Sequence, residues 1–206
     1  MSGRPAVFLD RDGVLNELVP DPALGVMESP LSVADVHLVS GVASVARLAQ
    51  AGFTLACVSN QPAAAKGAVS RGQLEQVHER VIELLAQKGV SLSASRLCLH
   101  HPEGSVPGLS GPCGCRKPAP GMLLDLASAL HIDLGGSWMV GDTDADVAAG
   151  QAAGCRTLLI ENPASAHKRA GQSSPDLRAA SLCAGIVSLL ESATPVGDNC
   201  DGQWNR

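Results

Sequence analysis

The sequence predicts an α/β protein with a parallel sheet and helices on both faces. Two observations carry this. Short, almost wholly apolar runs recur at 6–10 (AVFLD), 54–59 (TLACVS), 137–140 (SWMV) and 157–160 (TLLI), and strands without polar alternation are those covered on both faces. Helical stretches lie between them, and alternating strands and helices make parallel sheets with crossover connections. The 206 residues suffice for one core. Residues 1–192 are therefore expected to form a single three-layer α/β/α domain of Rossmann-like kind, with 193–206 a disordered tail.

The elements follow in order. After the first strand, residues 13–39 read as irregular, with Pro20, Pro22, Gly25 and Pro30. Residues 40–51 read as a helix capped by Ser40, with Val42, Val45, Ala46 and Leu48 inward and Gly52 as its stop. The second strand is 54–59. Ser70 caps a long helix to about Lys88, with Leu74, Val77, Val81 and Leu84 or Leu85 as its apolar stripe. Residues 96–100 are a third strand. Residues 101–121 hold five Pro and five Gly and read as loop. A helix at 120–130, a strand at 137–140, a helix at 144–153, a strand at 157–160 and a helix at 179–192 complete the chain.

Composition narrows the function. Aromatic residues are 2% of the chain, with no Tyr, and the net charge is −5. Single-stranded nucleic-acid readers need stacking platforms and a basic groove, so no nucleic-acid partner is expected. No apolar run approaches the length of a membrane span, and no signal-peptide core follows the N-terminus. A cytoplasmic protein is expected, with monomer as the default. Seven cysteines in such a chain point to metal or redox chemistry rather than disulfides.

Parallel sheets bind ligands beyond the carboxyl ends of their strands. Asp10 closes the first strand, with Asp12 two residues on and Gly13 allowing a sharp exit. Ser59 and Asn60 close the second strand, and Gly141-Asp142 the fourth. Lys117 stands just before the helix between the third and fourth. Asp10, Asp12 and Asp142 converging call for a hard divalent cation, and Mg²⁺ suits oxygen ligands. Lys117 and Ser59 then add charge and donors suited to a phosphoryl group. Asp146 reads equally well as support for the metal or as a carboxylate at a helix N-terminus. Asp144 reads as a helix residue.

Cys98-Leu99-His100 and Cys113-Gly114-Cys115 bracket the Gly/Pro-rich loop. Three thiolates and an imidazole are a ligand set for tetrahedral Zn²⁺, and four protein ligands make it structural. His101 is the rival nitrogen. The loop has little apolar material of its own, so zinc would staple it and fix Arg116 and Lys117, which follow directly. Cys57 reads as core; Cys155, Cys183 and Cys200 stand isolated.

These residues carry a resemblance. Residues 8–16 (FLDRDGVLN), Ser59-Asn60-Gln61, Lys117 and residues 141–146 (GDTDAD) resemble, in order, the four motifs of the haloacid dehalogenase-like phosphatases. The resemblance implies an aspartyl-phosphate mechanism. Asp10 attacks phosphorus, and Asp12 protonates the leaving oxygen and then activates water. Mg²⁺ sits on Asp10, the Asp12 carbonyl and Asp142, Ser59 and Lys117 hold the phosphoryl oxygens, and Asn60 beside Ser59 is expected to bind the phosphoryl group or the substrate. Cys-x-His and Cys-x-Cys before Arg116-Lys117-Pro118 resemble the zinc-containing branch with heptose 1,7-bisphosphate and histidinol-phosphate phosphatases, which has no large cap domain. In the heptose branch Arg116 would bind the substrate's other phosphate or sugar. Pro62 and Lys66, in a segment where that branch often has Ser and Arg, and Thr143, where it can have Lys, depart from it.

The expected substrate is thus a small phosphorylated sugar, first the 7-phosphate of heptose 1,7-bisphosphate. Histidinol phosphate or another sugar bisphosphate is the alternative within the fold. A zinc-stabilised phosphate-binding module is the non-catalytic one.

Overall fold

The structure, a computed structural model, describes residues 3–22 and 25–193. Most of the expected tail, with Cys200 and Trp204, lies outside the described residues. The main sheet has six parallel strands in the order β5-β4-β1-β6-β7-β8. They are β1 (Ala6–Leu9), β4 (Thr54–Asn60), β5 (Ala94–Cys98), β6 (Trp138–Gly141), β7 (Arg156–Ile160) and β8 (Leu177–Ala179). A separate antiparallel ribbon pairs β2 (Val19–Asp21) with β3 (Val26–Glu28). The helices are α1 (Ala46–Gln50), α2 (Arg71–Gln87), α3 (Gly121–Leu130), α4 (Asp144–Ala153) and α5 (Leu182–Ala193).

Strand periodicity explains the three layers. Successive side chains of a strand point to opposite faces. Val7 and Leu9 of β1 join Leu55, Val140 and Leu158 in a core with Leu48 of α1, Val77 and Val81 of α2 and Ile186 of α5. Ala6 and Phe8 join Ala56, Val58 and Met139 against Met122, Leu123 and Leu126 of α3 and Ala149 of α4. Every side chain of β1 is buried, as its unbroken apolar run requires. Among the described residues the aromatic side chains of the buried core are Phe8 and Trp138, and Trp138 carries the Arg156 guanidinium 4.0 Å above its ring.

Most expected elements form where their signals lie. Ser70 and Gln73 make a reciprocal capping box at the start of α2, whose buried stripe is Leu74, Val77, Val81 and Leu85. Three expectations need correction. The 40–51 helix is a 3₁₀ turn, Val42–Val45, running into the short α1. Gly41, not Ser40, stands at its start, with φ +79°, a conformation that excludes it from a right-handed helix. Residues 13–39 are not wholly irregular, because they contain the β2–β3 ribbon. Pro20 fits there because a two-stranded ribbon leaves free edges that need no N–H donor. The last helix starts at Leu182, because 177–179 form β8, a sixth strand at the sheet edge.

Among the described residues no cap domain is inserted, and no helix is long and apolar enough to cross a membrane. The chain passes from β1 to β4 and β5 on one side and then to β6, β7 and β8 on the other. The reversal at β1 opens a crevice above its C-terminal end.

Candidate active site

β1 lies between β4 and β6, so their C-terminal ends are neighbours and bring Asp10, Ser59, Asn60 and Asp142 together. All four line one cavity of about 590 Å³, with Asp12, Gln61, Arg116, Lys117 and Asp146. Its outer wall includes Glu28 from the β2–β3 ribbon, Lys66, and Lys168 from the loop after β7.

The converging carboxylates are Asp10, Asp142 and Asp146, whose oxygens lie within 4.8 Å of one another. This corrects the expected trio, in which Asp12 took the place of Asp146. Lys117 Nζ touches Asp10 Oδ1 at 2.7 Å and Asp146 Oδ1 at 2.5 Å, and donates to the Val58 carbonyl at 2.9 Å. Burial disfavours its charge, but the two carboxylates outweigh it and raise the pKa of Lys117. Asp146, which the sequence left open, thus has two tasks. Its Oδ2 also accepts from the Thr143 N–H and hydroxyl, capping α4.

Both Asp142 oxygens are buried without a hydrogen-bond partner. Burial, then Asp10 and Asp146, push its carboxyl up to about 8; burial pushes Asp10 up to about 6, against the pull of Lys117. Three carboxylates facing one ammonium leave two negative charges in excess, which a divalent cation with oxygen ligands would match. Two glycines make the approach possible. Gly13 has φ +92°, and a Cβ there would stand 2.0 Å from Asp142 Oδ2. A Cβ on Gly141 would stand 2.1 Å from that of Asp146.

Asp12 is held differently. Nε and Nη2 of the buried Arg11 each donate to it at 3.0 Å, Asn16 Nδ2 at 3.0 Å and Gln61 Nε2 at 2.5 Å. Burial opposes its charge, yet Arg11 and these donors hold its carboxyl below 3.8. These bonds favour its ionised form in the substrate-free protein.

Ser59 accepts from Gln61 Nε2 at 2.9 Å, so Gln61 bridges Ser59 and Asp12. Asn60 was expected on the substrate. Instead its amide brackets Lys117, with Oδ1 accepting from the Lys117 N–H at 3.0 Å and Nδ2 donating to its carbonyl at 2.9 Å. Arg116 Nη1 donates to the His100 carbonyl at 3.3 Å.

The Cys/His group assembles beside this floor. Cys98 ends β5 in register with Asn60. Cys115 Sγ lies 3.1 Å from Cys98 Sγ, 3.4 Å from Cys113 Sγ and 3.4 Å from His100 Nδ1. Cys98 Sγ lies 3.7 Å from Cys113 Sγ and 3.8 Å from His100 Nδ1. A tetrahedral zinc with arms of about 2.3 Å needs ligand separations of about 3.8 Å; the donor set is that of such an ion, and its separations of 3.1–3.8 Å are at or below that span. The rival His101 is turned aside, its Nδ1 accepting from the Glu103 N–H at 3.1 Å. Cys57 is core in β4, and burial pushes its thiol up to about 12. Asp144 accepts from Ala170 N and Ser173 Oγ, as a structural residue would.

Sequence reasoning missed Gln61 as a contact and the loop after β7 entirely. Asn162, Ser165 and Arg169 there bond the backbone of Gly13 and Asp142. Gln61 stood within a quoted motif, whereas the loop carries no periodic signal.

The HAD-hydrolase-like family model matches residues 114–184. The D-glycero-beta-D-manno-heptose-1,7-bisphosphate 7-phosphatase of Pseudomonas aeruginosa is 35% identical over 158 residues, 77% of this chain and 82% of that protein. Its namesake from Escherichia coli K12 is 38% identical over 157 residues, 76% of this chain and 78% of that one. The crystal structure of D,D-heptose 1,7-bisphosphate phosphatase from B. bronchiseptica, complexed with magnesium and phosphate, is similar at TM-score 0.74 and 30% identity, covering 91% of this chain and 99% of that one. At this identity and coverage, the chain belongs to the haloacid dehalogenase-like phosphatases, on the branch of the heptose bisphosphate phosphatases.

Proposed function

We propose that this chain hydrolyses the 7-phosphate of D-glycero-D-manno-heptose 1,7-bisphosphate through a phosphoryl group carried on Asp10. The observation that carries the reading is Asp10 at the floor of the cavity, ion-paired to Lys117 and beside the unpartnered carboxylate of Asp142. The substrate is taken from relatives that match over most of both chains.

Asp10 attacks phosphorus in line. The sugar oxygen leaves with a proton from Asp12. Asp12 then takes a proton from water, whose oxygen attacks the phosphoryl group and frees Asp10. Both steps need one group able to change between acid and base. The ionised Asp12 described here is the form that activates water. Lys117 and Ser59 hold the phosphoryl oxygens, while Asn60 positions Lys117. Arg116, on the cavity wall, receives the distal phosphate or the sugar.

Asp10, Asp142 and the Asp12 carbonyl would hold Mg²⁺, which neutralises phosphoryl charge when bound. Cys98, His100, Cys113 and Cys115 would hold structural Zn²⁺. The continuous sheet supports reading residues 1–192 as one domain. We read the chain as a monomer, and a thiolate zinc site suits the reducing cytoplasm.

Phosphate release from both anomers of heptose 1,7-bisphosphate, histidinol phosphate and other sugar bisphosphates tests the proposal side by side. The heptose bisphosphate is expected to give the highest kcat/KM, with heptose 1-phosphate as product. A preference for histidinol phosphate would overturn the substrate assignment.

A further inference from the structure

The loop after β7 supplies no group to the reaction proposed above. It is nevertheless bonded to both sides of the carboxylate site. Arg169 Nη1 donates to the Asp142 carbonyl and to Ser165 Oγ, each at 2.9 Å, and its Nη2 donates to the Asn162 carbonyl at 3.0 Å. The buried Ser165 hydroxyl lies 3.3 Å from the same Asp142 carbonyl. Asn162 Nδ2 donates to the Gly13 carbonyl at 3.0 Å, and its Oδ1 accepts from the Ala164 N–H at 2.9 Å. Gly13 is the residue against which the Asp142 carboxylate rests. One turn therefore grips the backbone on both sides of two buried, unpartnered carboxylate oxygens.

We propose that Arg169 is a positioning residue for the divalent-cation site. It ties Asp142 to the 162–169 turn while Asn162 ties Gly13 to the same turn, and together they set the approach of Asp142 to Asp10. The inference rests on the reading that Asp10 and Asp142 hold a cation. Bonding the Asp142 carbonyl fixes its backbone without consuming its carboxylate, so both oxygens remain for the ion. The planar guanidinium spans three acceptors at once, whereas an ammonium is a point donor without that fork. Without the clamp, Asp142 is free to move away from the like charge of Asp10. The reacting groups stay in place, so the loss falls on cation affinity rather than on chemistry at saturating cation.

Calorimetric titration of Mg²⁺ into the substrate-free, full-length protein tests this. Wild type, Arg169→Ala and Arg169→Lys are compared, with kcat at saturating Mg²⁺ and the melting temperature measured beside them. Arg169→Ala is expected to bind Mg²⁺ about 10- to 100-fold more weakly, with Arg169→Lys between it and wild type and kcat nearly retained. Mg²⁺ affinity indistinguishable from wild type in Arg169→Ala would overturn the proposal, as would a loss of kcat at unchanged affinity. Should Arg169→Ala fail to fold, unchanged affinity in Arg169→Lys would overturn it equally. A wild-type chain that binds no Mg²⁺ would sink the cation-site reading itself, and the proposal with it, an outcome distinct from a defect confined to the variants.

Discussion

The carboxylate site and the Cys/His loop lie side by side but are held by different forces. Asp10 and Asp142 follow strands that are buried on both faces, so the sheet fixes their spacing. The Cys/His loop has no sheet or helix between Cys98 and Gly121. Its backbone bonds are those of local turns, such as His101 N to the Leu109 carbonyl, Gly104 and Gly111 N to the His101 carbonyl and Gly121 N to the Gly114 carbonyl, with Ser105 and Val106 N to the Ala65 carbonyl. Charge separates the two regions further. The first gathers excess negative charge at a site built in advance. In the second, burial and a neighbouring thiol push Cys98 well above its ordinary value, while hydrogen bonds pull Cys113 below its own. On the reading proposed above, the first region is a scaffold set by the sheet, and the second is a loop that zinc would staple.

Breaking the first region at its nucleophile has the largest expected effect. Asp10→Asn should lower kcat about 10⁴-fold or more while leaving the fold and the metal content of the Cys/His group intact. Phosphate-release kinetics with elemental analysis check this, and retained turnover would refute Asp10 as nucleophile.

Removing zinc breaks the second region. Hydrogen exchange should then speed up across residues 98–117, with the sheet still protected. Activity should fall about 10²-fold, because Arg116 and Lys117 lose their placement. Full activity and unchanged protection with no zinc detected would contradict the staple.

Asp146 sharpens the comparison, since it belongs to the scaffold but acts on Lys117. Asp146→Asn should reduce kcat/KM about 10- to 100-fold and lower the melting temperature. An unchanged rate would leave Asp146 only its capping role.

The smallest effect concerns pH. Asp10 and Asp142 have folded-state values of about 6 and about 8, above the ordinary 3.8. Groups raised in this way stabilise the fold while protonated, and that stability is lost as pH rises from about 4 to about 8. The Mg²⁺-free protein should therefore lose melting temperature across this window, and Mg²⁺ should flatten the decline. A Mg²⁺-free melting temperature that rises through the window would contradict those values.

The two regions also differed in how far the sequence disclosed them. Asp10, Ser59, Asp142 and Lys117 stand at strand and helix ends, and apolar runs mark those ends. The gathering of Cys98, His100, Cys113 and Cys115 was legible from residue type and spacing alone. Asp146 was ambiguous, because a helix N-terminal carboxylate and one aimed at Lys117 have the same sequence signature. The β2–β3 ribbon and β8 are three residues per strand with none fully buried, too short for periodicity to register. Asn60 and Arg169 act through contacts with backbone, which leave no pattern in side-chain chemistry.

The most direct test of the central claim is acid quenching of the protein during turnover of heptose 1,7-bisphosphate with Mg²⁺, followed by mass spectrometry of the peptide bearing residues 6–13. A phosphoryl adduct on Asp10, lost in Asp10→Asn, is the expected result. Turnover with the phosphoryl group on another residue, or an undiminished rate in Asp10→Asn, would contradict the account.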